Sequence, residues 1–176
     1  MTEFPMAQNF DERVPDDDDR PRSVCGTCGF VDYKNPKIVV GSVATREGRI
    51  LLCRRAIEPR KGYWTLPAGY LEVNESVEDG ARREAYEEAR AQLELDRVLA
   101  VYSVERISQV QIMFRARLAD PDIAPGPESL EVGMFAWADI PWADIAFPTV
   151  GWALRHWRET KDRDDFAPFS NPIEGV

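Results

Sequence analysis

Cysteine and histidine are scarce in this chain. Three cysteines in 176 residues, one of them inside an expected strand, do not make a disulfide framework. A closed structural zinc site needs four ligands. Here Cys25-Gly26-Thr27-Cys28 is the only CxxC pair and His156 the only histidine. Zinc is therefore not expected, and the pair reads as a knuckle without a complete metal site. A redox CxxC would call for a strand before it and a helix after it, and the pattern shows neither. A basic patch is also missing: net charge is -9, with acids concentrated at Asp16 to Asp19. That balance argues against nucleic acid and against a membrane surface as partners. It leaves a nucleotide substrate open, since a metal and a few arginines suffice to hold phosphates. No apolar run approaches a membrane span, and residues 1–10 lack a basic start followed by an apolar stretch. No signal peptide is expected, and the cytoplasm is the expected location.

What is present is ordinary for a globular protein, with 44% hydrophobic and 10% aromatic residues. The length suits one domain with its own core and room for a small appendage. We expect an acidic N-terminal segment with the knuckle over residues 1–34, a main domain over 35–162 and a tail over 163–176. Residues 1–22 are polar and proline-punctuated, and we expect them loosely ordered or held by a partner surface. Residues 38–44 read as a mostly buried strand, Glu47-Gly48 as a turn and residues 49–54 as its hairpin partner. Cys53 is then a small core residue. Arg55 ends that strand and points either to solvent or to a phosphate. The Gly- and Pro-containing loop 58–69 places a backbone carbonyl near Ala68 and Gly69 within reach of a metal. Trp64 in it is core or a nucleotide platform, core being the commoner fate. Alternation marks strands over 93–104 and 110–118, with Gln111, Arg115 and Arg117 on one face of the second and Ile112, Phe114 and Ala116 on the other. A proline-rich loop at 120–131, a strand over 132–137 and an amphipathic helix over 150–160 follow; His156 is an ordinary helix residue there. Strands around a central helix, with a second helix near the end, predict an α+β fold.

The chemistry concentrates between Gly69 and Ala91. Ser76 is an N-cap, Asp79 sits at the capping-box position, and alanines follow at helical spacing. At about 100° per residue, Glu84, Glu87 and Glu88 fall within one third of the helix circumference. Val77, Ala81, Ala85 and Ala89 form an adjoining small apolar stripe, so the helix can lie close to a sheet. Arg83 reaches Glu87 at i+4, and Glu75 pairs with Arg83, yet acids still outnumber the base. A hard divalent cation, Mg²⁺ or Mn²⁺, resolves that repulsion. The plain alternative is a solvated Glu/Arg-rich helix face.

Glycine, five residues, Glu75, seven residues, then Arg83-Glu84-Ala85-x-Glu87-Glu88 resembles the Nudix box, the signature of hydrolases that cleave nucleoside diphosphates linked to another moiety. Arg90 stands where the family has a glycine, and Asn74 where many members have another. Asn tolerates the left-handed conformation; Arg does so poorly, so the helix is expected to run on or end differently. The resemblance extends over 25–147, through Leu51-Leu-Cys-Arg-Arg55, Trp64-Thr-Leu-Pro-Ala-Gly-Tyr-Leu-Glu72 and Ala124-Pro-Gly-Pro-Glu-Ser-Leu-Glu131. Together these look like the branch that includes the plant plastid FAD and ADP-ribose pyrophosphatase and bacterial relatives. The resemblance implies an α/β/α sandwich around a mixed sheet. It implies cleavage of FAD, ADP-ribose or an NADH-like compound to AMP and a second phosphorylated product. Glu84, Glu87, Glu88 and the Gly69 carbonyl would bind the cation, Arg83 and Glu75 would order the acids, and Arg55 would touch substrate. Glu131 or Glu128 would act as general base unless a metal ligand does. The branch commonly carries two CxxC pairs in a zinc-ribbon-like N-terminus, of which only Cys25 and Cys28 remain here. A homodimer is admitted. The rivals are a non-catalytic nucleotide sensor and a nucleoside triphosphate pyrophosphohydrolase.

Overall fold

The computed structural model describes residues 9–173. The chain divides into two compact units, residues 1–36 and 37–176.

The first unit is a three-stranded antiparallel sheet of β1 (Phe10–Arg13), β2 (Arg22–Cys25) and β3 (Val31–Asp32). The acidic start is thus ordered where loose structure was expected: Phe10 pairs with Cys25 and Arg13 with Arg22. Arg22 donates to Asp18 at 2.8 Å, which draws part of the acid run back to the sheet. The share of that expectation covering residues 1–8 lies outside the described residues. A strand does precede the knuckle, contrary to the sequence pattern, but β3 and not a helix follows it.

The second unit contains β4 (Lys37–Arg46), β5 (Arg49–Arg55), β6 (Trp64–Thr65), β7 (Ala68–Tyr70), α1 (Val77–Ala89), β8 (Leu93–Val104), β9 (Gln109–Leu118), β10 (Ser129–Phe135) and α2 (Pro148–Thr160). The strand order is β10-β5-β4-β9-β8, mixed because β4 and β9 run parallel. The β4–β5 hairpin pairs only at Thr45–Ile50 and Arg46–Arg49. Beyond that the two strands part; β6 pairs with β5 and β7 with β4, which carries Ala68 and Gly69 into the body of the sheet.

Alternation assigns the faces. Ala44, Leu51, Cys53 and Ala116 pack with Ala85 and Ala89 of α1, whereas Val43, Ile50, Leu52 and Met113 pack with Trp152, Ala153 and Leu154 of α2. One helix on each face gives the expected α/β/α sandwich. Trp64 packs edge-on against Phe135 with ring centroids 4.8 Å apart, beside the α2 core. Phe169 bonds across Leu99 and Val101, so the C-terminal segment lies along β8. Among the described residues no helix is long and apolar enough to cross a membrane.

The ends of α1 divide. Ser76 caps the start as expected, its Oγ accepting the Asp79 N–H at 3.1 Å. At the other end Arg90 takes the left-handed conformation itself, with φ 54°, and the helix stops at Ala89. The stop holds because the Arg90 N–H bonds to Tyr86 O at 2.8 Å and the Ala91 N–H to Ala85 O at 3.2 Å, closing the last turn. The Arg90 guanidinium lies over the Tyr86 ring. A second departure is β10, which starts at Ser129 with a bulge before Glu131, so Glu131 is a strand residue and not part of the loop.

Candidate active site

Arg83 is the hub of the carboxylate cluster. Its Nε and Nη2 donate to the two oxygens of Glu75 at 2.8 and 3.1 Å. Nη1 donates to Glu84 at 2.7 Å and to Glu87 at 3.0 Å, and Nη2 also reaches Tyr70 O at 2.9 Å. Glu75 additionally accepts the Glu72 N–H at 3.1 Å. The Arg83 bond holds the Glu75 carboxyl below its ordinary range, and the same acids raise the Arg83 guanidinium. The pairing of Arg83 with Glu75 and Glu87 that the helix spacing suggested is therefore present, and Glu84 joins it.

Glu88 lies apart from this hub. It is buried, with one oxygen accepting the Ala68 N–H at 3.1 Å. Burial pushes its carboxyl up to about 8 against that bond, with Glu84 adding to the rise. Burial likewise raises Glu84 against the Arg83 bond. Glu84 rests on the Gly69 backbone so closely that a Cβ there would overlap its carboxylate. Glycine is required at 69 for that approach. Two partly desolvated acids on one rim, with further acids beside them, form an oxygen-rich cradle suited to a hard divalent cation. Among the described residues no three acidic, cysteine or histidine side chains stand in a ready-made ligand cluster, because Arg83 holds Glu84 and Glu87.

The loop before β10 closes the rim. The Ala124 N–H bonds to Ala89 O and the Gly126 N–H to Glu88 O, both at 3.0 Å, so the loop takes up carbonyls at the open end of α1. Gly126 approaches the helix so closely that a Cβ would run into Glu87 O. This docking brings Glu128, itself exposed, near enough to raise both Glu84 and Glu88. Glu131 does not join them. Val132 and Met134 pack toward the alanines of α1, so Glu131 turns to the other face, where it lies 3.6 Å from Arg54. Of the two loop acids, the structure brings Glu128 to the cluster.

Arg55 points neither freely to solvent nor straight into the acids. Its Nε donates to Pro59 O at 2.8 Å and its guanidinium sits over the Phe147 ring, still close enough to lower the Glu88 carboxyl. The Ala68 N–H and Gly126 were not foreseen as site elements. Pro125-Gly126-Pro127 signalled a stiff turn, but nothing in it names the helix end it meets.

A profile described as NUDIX domain matches residues 35–157. The chain belongs to the Nudix hydrolase family. A second Nudix profile, the zinc-ribbon type described as Nudix N-terminal, matches residues 7–34. The structure of a NUDIX hydrolase from Nitrosomonas europaea superposes with a TM-score of 0.87 at 42% identity, covering 97% of this chain and 99% of that one. A MutT-like protein of Streptomyces ambofaciens is 38% identical over 45% of this chain, which spans about half (49%) of that relative. An ADP-ribose pyrophosphatase of Methanocaldococcus jannaschii is 28% identical over 62% of this chain and 67% of its own length. Within this Nudix chain the donors fit a hard cation at the α1 rim but not zinc in the first unit. Cys53 and His156, the remaining thiol and imidazole, are both buried in the second unit.

Proposed function

We propose that this Nudix protein hydrolyses the pyrophosphate link of a nucleoside diphosphate compound, of the FAD, ADP-ribose or NADH-like class, to AMP and a phosphorylated product, with Mg²⁺ or Mn²⁺. The observation that carries the reading is the rim itself: Glu84 on Gly69 and Glu88 on the Ala68 N–H, two partly buried acids whose repulsion Arg83 relieves at only one of them. Glu84, Glu87, Glu88 and the Gly69 carbonyl would hold the cation. When bound, it supplies neutralisation of the phosphate oxygens and acidification of a water. Arg83 and Glu75 order the acids. Glu128 is the carboxylate placed to take a proton from an attacking water, in preference to Glu131. Arg55 would meet a phosphate by leaving the Phe147 ring. The ADP-ribose pyrophosphatase among the relatives supports the substrate class. A cytoplasmic location and a homodimer complete the reading, to be read out by cell fractionation and by light scattering.

The deciding experiment is release of AMP from ADP-ribose, FAD and NADH, with a nucleoside triphosphate in the same panel. It is run after chelation and again with Mg²⁺ or Mn²⁺ restored. The expected result is metal-dependent AMP formation from a dinucleotide. Full turnover by verified metal-free protein would overturn the mechanism, binding without turnover would make the chain a sensor, and preference for the triphosphate would change the substrate class.

A further inference from the structure

The hydrolase reading leaves the thiols of the first unit unused, and the inference drawn from them does not depend on it. Cys25 and Cys28 stand where the zinc-ribbon profile matches, yet they are the unit's only thiols and it has no histidine. The turn that carries them is built without a metal. The Cys25 N–H bonds to Phe30 O at 2.8 Å, the Gly29 N–H returns to Cys25 O at 2.9 Å, and the Gly26 N–H reaches Asn9 O at 2.8 Å. That closed turn sets the two thiols side by side, with the Cys28 thiol and the backbone N–H groups of Cys28 and Thr27 all within hydrogen-bonding reach of Cys25 Sγ. Cys28 is exposed and Cys25 partly so, whereas Cys53 is sealed in the core.

We propose that Cys25 and Cys28 are a metal-free, reversibly oxidised dithiol that closes to an intramolecular disulfide with a small-molecule disulfide as oxidant. Four-residue CxxC loops bring sulfurs within bonding range without large backbone movement. The N–H groups aimed at Cys25 Sγ favour its thiolate and lower its pKa, which makes it the attacking sulfur. Attack on the small disulfide forms a mixed disulfide and expels one small thiolate. Cys28 then gives its proton to solvent, attacks Cys25 Sγ and expels the second thiolate. Two protein thiols are oxidised and one small disulfide is reduced to two thiols.

The test uses the full chain, purified reduced in the presence of zinc, with elemental analysis, then incubated with oxidised glutathione. Well under one zinc per chain is expected, followed by a mass loss of about 2 Da that dithiothreitol reverses. Peptide mapping should find Cys25 linked to Cys28, with Cys53 alkylated only after denaturation. Cys28→Ser should abolish the loss and trap a glutathione adduct on Cys25, whereas Cys53→Ser should keep the loss. Stoichiometric zinc released by either Cys25→Ser or Cys28→Ser, both thiols staying free, or a disulfide between chains would each overturn the proposal.

Discussion

At the scale of the residue, Glu88 and Gly69 make opposite demands on the same rim. Glu88 is an acid in a buried place with one backbone N–H from Ala68. Glu88→Gln keeps the shape and removes a charge that burial disfavours. The metal-free variant should therefore melt no lower than the parent, while turnover at saturating Mg²⁺ falls by about two orders of magnitude or more. Melting curves and steady-state rates measure the two halves; a much lower melting point would make Glu88 a structural acid. Gly69→Ala places a methyl group where the Glu84 carboxylate lies. Glu84 must then swing away, and a misplacement of about 1 Å is enough to cost roughly 100-fold in rate. Turnover together with Mg²⁺ titration checks it, and unchanged kinetics would show that Glu84 has room elsewhere.

At the scale of the element, α1 shows which features can be read along a chain and which cannot. Its start, its alanine stripe and the arc of three glutamates follow from spacing, and the structure agrees with each. Its end does not follow: an arginine at φ 54° is a poor choice by local preference, and the closed last turn overrules it. Arg90→Gly should stabilise the protein by about 0.5–1 kcal/mol by removing that conformational cost, less whatever the contact with Tyr86 contributes. Urea unfolding at constant m would show it. The loop before β10 is the second case. Gly126→Ala would drive a methyl into Glu87 O, so the loop must leave the helix. We expect a loss of about 2–4 kcal/mol, as for other overpacked or strained sites. Turnover should fall as well, because Glu128 leaves with the loop. A variant of parental stability would mean that the loop can dock without this contact.

At the scale of the whole molecule, His156 ties the second helix to the sheet and to the C-terminal segment. Its Nδ1 lies 2.7 Å from the Tyr102 hydroxyl, and Phe169 stacks on its ring at 4.1 Å. Burial lowers its pKa, with Arg155 adding to the drop and Glu159 opposing it; Tyr102, driven well above its usual value by burial, faces it as a neutral phenol. Because the folded pKa lies below the unfolded value near 6.5, the unfolded chain binds a proton that the folded chain resists. The contribution is full above the unfolded value. It is lost as pH falls toward the folded one, by at most about 1.4 kcal/mol per pH unit. Urea midpoints measured from neutral to mildly acidic pH should show this slope, and His156→Gln should flatten it. An identical slope in the variant would assign the acid sensitivity to the carboxylates.

Local pattern alone determined the strands of the sheet to within a few residues, the two helices, the carboxylate arc with its arginine and, through the box spacing, the family. These features repeat at short range along the chain, so neighbouring side chains suffice to announce them. Tertiary structure alone decided what those residues face. Parting of β4 from β5 admits β6 and β7, and only then does the Ala68 N–H meet Glu88. The bulge before Glu131 shows how finely this is set. In a strand a shift of one residue exchanges the faces, and here it leaves Glu131 with Arg54 while the docked turn at Gly126 carries Glu128 to the acids.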